Sequence, residues 1–452
     1  MKRERRRVLQ IARGVAAAAL LVTALTLSFL RAFGPGPSPI AGPIDFLAFD
    51  CAGQVAAERA DPYLIEPLRS CEAAAAAESG SHVLKYLVVP APLPPYALAA
   101  FALFAKLPFR EASALWLALC IVAVLATIVL VREVTHAPLV AIAVVIIAAV
   151  GGSSLAIGQI VPIVICALCG SALALRADRP RLAAALALPL LLAPTVGVPV
   201  AIALFAWEPR ARATLVTGLL AAGVLSLLFG GVGRNLEYVQ QVLPAQARAE
   251  GLEFGGQYSL TALLAVLGFP APLALALGAL MYAVMIVLGV SFGRRIAGAL
   301  HERSAIVLFP AAFAVIGGSY VHIHQIAFVL PALFLLIGRT SRLRALTFTA
   351  LVVLAIPWEM LEEIPGLLPA HPQAHQNRVF AELARASRPG ELAEIPWGIW
   401  VRSGHQDSRT TLERFECKLP TWTGLILFVA ATSLIVFREP GAPREMVPLL
   451  AS

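Results

Sequence analysis

Residues 113–131 read SALWLALCIVAVLATIVLV, and Arg132 follows at once. Nineteen residues without a charge are enough, as one helix, to cross a hydrocarbon core of about 30 Å. Similar apolar runs lie near 138–150, 160–175, 182–192, 195–206, 213–230, 272–292, 304–318, 325–338, 345–358 and 421–437. The whole chain agrees with its parts. Of 452 residues, 59% are hydrophobic and 14% charged, and the mean hydropathy is +0.82. Soluble domains carry about 25% charged residues, so an ordinary cytosolic enzyme is excluded, as is a disordered chain. The sequence is that of an all-α polytopic membrane protein.

At the amino end, Lys2, Arg3, Arg5, Arg6 and Arg7 precede an apolar stretch that runs to about Leu30. Its length and the lack of a small-x-small cleavage site before Pro35 mark it as an uncleaved first span rather than a signal peptide. Several later runs fall short of the ~20 residues that an upright span needs. Broken helices of that kind are tolerated where they are buried in protein or line a cavity. Between 182 and 206, Pro189, Pro194 and Pro199 predict two short helices around a turn.

The net charge of +8 is distributed in short clusters between the apolar runs. No basic patch interleaved with aromatics exists, so nucleic acid is not the partner. Assigning Arg13 and the N-terminus, Arg132, Arg176/Arg179/Arg181, Arg210/Arg212, Arg294/Arg295/Arg303, Arg339/Arg342/Arg344 and Arg438/Arg444 to the inside gathers 20 of the 35 Lys and Arg there, but only 7 of the 27 Asp and Glu. That asymmetry predicts about twelve spans with both termini inside, and it makes 94–107 an outer interfacial helix. The expected organisation is a transmembrane helix in 1–30, an outer loop with interfacial helices in 31–112, and a transmembrane bundle in 113–358. A second outer loop in 359–420 and a last span with a cytoplasmic tail in 421–452 complete it. A shorter outer segment is expected over about 231–271. Loops of this size suit an enzyme at the outer face better than a simple transporter.

The first outer loop carries the chemistry. Asp45 lies in Ile44-Asp45-Phe46-Leu47-Ala48-Phe49-Asp50-Cys51-Ala52, about 15 residues beyond the first span. A carboxylate there can take the proton of an acceptor hydroxyl while a lipid-borne sugar approaches from the bilayer. The same residue reads equally as a helix-capping or solvated aspartate. Asp50 is its rival, one turn along a helix.

The pattern Asp45-Phe46-x-x-Phe49-x-x-Ala52, then Asp61-Pro62-Tyr63, then Pro94-Pro95, resembles the first loop of glycosyltransferase family 87. Gly158-Gln159-Ile160-x-Pro162, Gln257-Tyr258-Ser259-Leu260 and His322-Ile323-His324-Gln325 follow in the family's order. The resemblance implies a GT-C-like bundle of about twelve transmembrane helices with large outer loops. It also implies an inverting transfer of a sugar, with mannose the family default, from a polyprenyl phosphate to a hydroxyl. The acceptor would be a glycolipid or a growing cell-envelope glycan, outside the cytoplasmic membrane of a bacterium. The family's general base falls on Asp45. No metal and no cofactor are implied, because a single lipid phosphate leaves and a cationic or amide-rich pocket can stabilise its charge. The chain departs from the family at Leu192-Ala193-Pro194-Thr195, where many relatives carry a lysine, at Val161, and at Gly256.

Donor- and acceptor-binding candidates are Tyr63, Gln159, Gln257, Ser259, His322, His324, Trp397 and Trp400. Gln159 sits at membrane depth, where an amide must be hydrogen-bonded, either to substrate or across a helix interface. His322 and His324 offer donors to phosphate or sugar, or are held by neighbouring backbone. Zinc spacing is lacking. Arg234 and Arg248 are further outer cations. In the late loop, Trp358, Glu359, Glu362, Glu363, Trp397, Trp400, His405 and Asp407 suit carbohydrate recognition, while Trp also serves as an interfacial anchor. Cys120, Cys166 and Cys169 fall in spans, whereas Cys51, Cys71 and Cys417 are outside, where disulfides persist. A Cys51–Cys71 bond would staple the loop of Asp45. No Walker loop, Rossmann glycine run or HExxH helix is present. The competing reading is a transporter or flippase of a lipid-linked substrate.

Overall fold

A computed structural model describes residues 43–79, 87–253, 256–340, 343–356, 358, 382–404 and 411–437. The expected first span, residues 1–30 with its basic cluster, lies outside the described residues. So do Arg342, Glu359, Glu362, Glu363, His405, Asp407, the Cys417 thiol, Arg438 and Arg444.

The described chain is helical throughout, with no strand and a single bridge between Leu64 and Leu392. Among the described residues, four helices are long and apolar enough to cross a membrane: Phe109–Thr135, Pro209–Ala249, Ala271–Leu300 and Lys418–Val436. Eight shorter apolar helices accompany them. Thus the bundle mixes full-length helices with pieces that need protein neighbours to satisfy their ends.

Among the described residues, three α-helices precede the first long one: α1 (Ile44–Ala57), α2 (Ile65–Ser79) and α3 (Pro95–Phe101). Then α4 (Phe109–Thr135) carries the opening apolar run through 27 residues, roughly 40 Å. His136 ends it in the left-handed conformation, and the Arg132 guanidinium donates to the Ala137 carbonyl at 2.9 Å. The return passes through α5 (Leu139–Ile146), a π turn at Ile147–Gly151, and α6 (Gly152–Ile157), reaching Gly158 and Gln159. Helix α7 (Val161–Arg176) goes back.

The proline-rich segment forms the hairpin its sequence requires. Pro180 opens α8 (Pro180–Ala187), Leu188–Leu192 tightens into a 3₁₀ turn, and Pro194 opens α9 (Pro194–Trp207).

The expected outer segment after residue 230 begins as helix: α10 (Arg212–Glu237) runs through a π turn at Tyr238–Val242 into α11 (Leu243–Ala249). Gly231, at φ 62°, breaks the backbone inside α10. The Asn235 amide bridges that break, donating to the carbonyls of Ser226 (3.1 Å) and Gly231 (2.6 Å). The glycines that end the apolar run therefore kink the helix without stopping it.

Helices α12 (Leu260–Val266), α13 (Ala271–Leu300) and α14 (Ala305–Gly317) follow. After a 3₁₀ turn at Ile323–Val329 come α15 (Leu330–Arg339) and α16 (Arg344–Ala355). Helix α17 (Glu394–Gly404) and the long α18 (Thr411–Val436) close the described chain.

Charged side chains tie one end of this bundle together. Asp178 pairs with Arg210 at 2.7 Å and with Arg303, which also pairs with Glu208. Arg176 approaches Glu302 at 3.8 Å and donates to the Glu133 carbonyl at 2.7 Å. These residues gather the ends of α4, α7, α9 and α13. The opposite ends of α4 and α7 meet α1, where Phe46 stacks on Trp116 at 5.4 Å and the Trp116 indole donates to the Gly158 carbonyl at 2.8 Å. Asp45 sits at that second end.

Candidate active site

Asp45 lies in the first turn of α1, where the helix N-terminus favours a negative charge. Its neighbours Phe46 and Phe49 turn into the aromatic core and fix the helix, so Asp45 points to another side. The Gln159 amide donates to the Asp45 carboxylate. That contact needs the preceding glycine. Gly158 has φ +73°, and a Cβ there would stand 2.7 Å from the Phe46 Cβ and 2.9 Å from the Pro43 Cβ. Only a glycine lets the 158–159 backbone come this close to α1.

A second group of residues faces Asp45 from the far loops. The His322 Nε2 lies 2.9 Å from the Glu250 Oε2, and the Trp397 indole donates to the Glu250 Oε1 at 2.7 Å. The Gln257 amide nitrogen lies 3.0 Å from the His322 Nε2, while the Gln257 Oε1 accepts from the Val321 N–H at 2.6 Å. Tyr258 N–H donates to the Val321 carbonyl at 2.8 Å, so the two segments are pinned in register. His322 has extended backbone and caps the 3₁₀ turn, its N–H donating to the Gln325 Oε1 at 3.1 Å. The ring of His324 stacks on that of His322 at 5.3 Å. Thus His322 and Trp397 converge on Glu250, which lies one residue beyond α11, and Gln257 backs His322.

Electrostatics join the two groups. Burial pushes the Asp45 carboxyl up to about 7; the Gln159 hydrogen bond opposes this, the charge of Glu250 adds to it, and that of His322 opposes it. Burial by itself would raise Glu250 too. There the His322 hydrogen bond and charge, with Trp397 and Gln246, outweigh burial and hold the carboxyl below its ordinary value. Two acids in one site therefore differ in basicity. Asp45 is poised near neutrality, and Glu250 stays ionised as the partner of His322.

Other sequence candidates lie elsewhere. Asp50 faces away from Asp45, fully buried, and accepts from the Gln54 amide at 2.9 Å. Burial pushes it up to about 6, against the Gln54 hydrogen bond and with the charge of Glu78. Cys51 and Cys71 form a disulfide that ties α1 to α2. Tyr63 is buried, and its hydroxyl donates to the Leu93 carbonyl at 2.8 Å, clamping the Asp61-Pro62-Tyr63 segment to the Pro94-Pro95 segment. The Ser259 hydroxyl caps α12, accepting from the Ala262 N–H at 3.2 Å. Trp400 is half-buried against the core. Cys166 and Cys169 remain thiols in α7.

Two residues that sequence reading passed over belong to this end of the molecule. Glu250 is one. Glu394 is the other: it is 2% exposed, and no other residue gives its carboxyl oxygens a hydrogen bond. Burial pushes it up to about 8, its own backbone N–H opposing this, and the charges of Glu250, Asp61 and Glu237 add to the rise. In a single sequence each is one of two acids three residues apart, Glu250 with Glu253 and Glu394 with Glu391, and nothing local singles it out. Helix α17 is docked by backbone bonds, with the Ala393 N–H donating to the Tyr63 carbonyl at 2.9 Å.

Neither a curated protein nor a solved structure matches the chain. The sequence model of glycosyltransferase family 87 does, over residues 93–317. The matched span holds Gln159, the hairpin, Glu250 and Gln257, while Asp45, His322 and Trp397 stand on either side of it. The ordered motifs, the all-helical membrane-type fold and this match agree, and the chain belongs to glycosyltransferase family 87, as a membrane glycosyltransferase.

Proposed function

We propose that this protein is a GT-C-type enzyme that moves a sugar, mannose by family default, from a polyprenyl phosphate to a hydroxyl of a lipid-linked or cell-envelope glycan. The observation that carries the reading is Asp45. It is the carboxyl of a half-buried residue, beside the Gln159 amide, with its proton affinity raised by burial to about 7. In the transfer, the acceptor oxygen attacks the anomeric carbon as its proton passes to Asp45. The bond from that carbon to the phosphate oxygen breaks, and its electron pair leaves on the polyprenyl phosphate. A single in-line displacement inverts the anomeric centre.

The other groups have roles consistent with this step. His322, held by Glu250 and Gln257, offers a donor to the phosphate, with His324 stacked behind it. Gln159 orients Asp45. Trp397 and Trp400 on α17 offer ring faces to the acceptor sugar, which gives the 359–420 loop an acceptor-binding role and the 31–112 loop a catalytic one. Tyr63 and Ser259 act through the backbone they hold.

We place the site at the outer face of a bacterial cytoplasmic membrane, in a bundle of about twelve spans. The support is the arginine-rich end formed by Arg176, Arg210 and Arg303, opposite Asp45, since basic clusters stay inside.

The test is sugar transfer in membranes from radiolabelled polyprenyl-phosphate mannose. Asp45→Asn should lower transfer at least a thousandfold at unchanged abundance, and Asp50→Asn should retain it. Transfer by Asp45→Asn at the wild-type rate would overturn the assignment.

A further inference from the structure

Both oxygens of the Glu250 carboxylate face side-chain N–H donors. The His322 Nε2 lies 2.9 Å from Oε2, and the Trp397 indole donates to Oε1 at 2.7 Å. The Gln246 side chain hydrogen-bonds the same carboxyl. These donors come from three places in the fold: the start of the 3₁₀ turn at 323, α17 and α11. Burial pushes the neighbouring acids Asp45 and Glu394 up to about 7 and about 8, whereas Glu250 is held below its ordinary value. Convergent N–H groups of this kind favour a negative charge, and the protein's own carboxylate fills the place.

The histidine has a single hydrogen to give there. Its side chain caps the 3₁₀ turn by accepting from the Gln325 backbone N–H. Since Nε2 faces Glu250, the accepting nitrogen is Nδ1, which then carries no proton. The ring proton is therefore on Nε2, directed at Glu250. The Gln257 amide nitrogen lies 3.3 Å from Nδ1 and 3.0 Å from Nε2, across the ring rather than on one nitrogen. The His322 side chain is 30% exposed and that of Glu250 12%, so this contact is open to the outside on the histidine side. An anionic oxygen that binds His322 has to take the N–H that Glu250 now holds.

We propose that Glu250 occupies the phosphate site of the free protein and yields His322 and Trp397 to the donor phosphate when it binds. The proposal rests on the lipid-phosphate-donor reading above, in which His322 serves the phosphate. It adds the Trp397 N–H as a second ligand and makes Glu250 the resident anion. Carboxylate and phosphate oxygens accept from the same N–H donors, so each hydrogen bond made to phosphate replaces one made to Glu250. A neutral lipid has no such oxygen to exchange and leaves Glu250 in place. The indole N–H lies on the ring edge, so the Trp397 face stays available to a sugar.

The experiment measures binding of two lipids to the purified full-length protein: undecaprenyl monophosphate, and undecaprenol, which lacks the phosphate. Glu250→Gln removes the charge at equal length, and Glu250→Ala removes the competing oxygens altogether. Each variant is measured below its own melting temperature. Both should bind the monophosphate about fivefold or more tightly than wild type, the size of one net hydrogen bond to a charged group, and undecaprenol unchanged. Adding His322→Phe or Trp397→Phe to Glu250→Gln should remove most of that gain. Monophosphate binding that is unchanged or weaker in the Glu250 variants would make Glu250 an aid to binding or a bystander, and overturn the proposal. A gain that persists in full in both double variants would reduce Glu250 to a repelling charge, and overturn it as well. Wild-type protein that binds both lipids alike would instead overturn the donor reading beneath it.

Discussion

The side-chain amide of Gln159 donates to the carboxylate of Asp45 across 114 residues of sequence. A hydrogen bond to the charged form favours that form, so this amide holds the Asp45 proton affinity below what burial alone would set. Wild-type transfer should fall as pH drops through about 7, because Asp45 then carries a proton and cannot accept another. In Gln159→Leu that acidic limb should move to higher pH. Activity at pH 7 should be several-fold lower and should recover between about pH 8 and 9. A pH–rate profile of the two proteins checks this, and an unmoved limb would separate Gln159 from the base.

Gly158→Ala adds a methyl group where Phe46 and Pro43 leave no room, at a φ that alanine rarely adopts. The expected cost is about 1–3 kcal/mol, from strain and displaced packing. The displacement acts on the residue before Gln159, so transfer should fall more than stability. Thermal unfolding and transfer on the same preparation would show both.

The Cys51–Cys71 disulfide closes a separation of 20 residues that contains Gln54 and Tyr63. Chain-entropy arithmetic gives such a link about 3 kcal/mol. Cys51→Ser with Cys71→Ser should lower the melting temperature by several degrees and make it insensitive to reductant. The wild type should lose the same amount when reduced. Equal melting of all samples would mean the bond contributes nothing.

Glu394 predicts a pH dependence of stability. Its folded pKa, about 8, lies above the ordinary glutamate value of 4.5. Between those values the folded protein keeps a proton that the unfolded chain has lost, so stability falls as pH rises through this window and levels off beyond it. Glu394→Gln lacks this loss. Its melting temperature relative to wild type should climb from pH 5 to pH 8 and then stay flat, and a constant difference would mean that Glu394 does not titrate in that window.

The positions of several candidate site residues were legible in the sequence. Asp45, Gln159, Gln257 and His322 stand in ordered motifs, and the structure brings them to one end of the bundle. Asp50 shows the limit of spacing. Five residues is more than one helical turn, and the pair ends on different faces, Asp45 toward Gln159 and Asp50 toward Gln54. Tyr63 and Ser259 share the motifs, yet their hydroxyls are occupied by the Leu93 carbonyl and the Ala262 N–H. Continuity of α10 into α11 was hidden too, because a glycine run that looks like a stop becomes a kink once Asn235 supplies the missing hydrogen bonds.

The sequence by itself determined the solvent and the class. Uncharged runs such as 113–131 must leave water, and in lipid a backbone can only satisfy itself as a helix or a closed barrel. Its prolines also dictated the hairpin between Pro180 and Trp207. Tertiary structure alone decided which polar residues meet. Glu250 finds His322 across 72 residues and Trp397 across 147, and Lys418 comes to Tyr258 from the last helix. Hydrophobic periodicity reports how each helix meets its surroundings, one element at a time. Hydrogen bonds and charge pairs between loops depend on how the helices are arranged, and no local pattern encodes that.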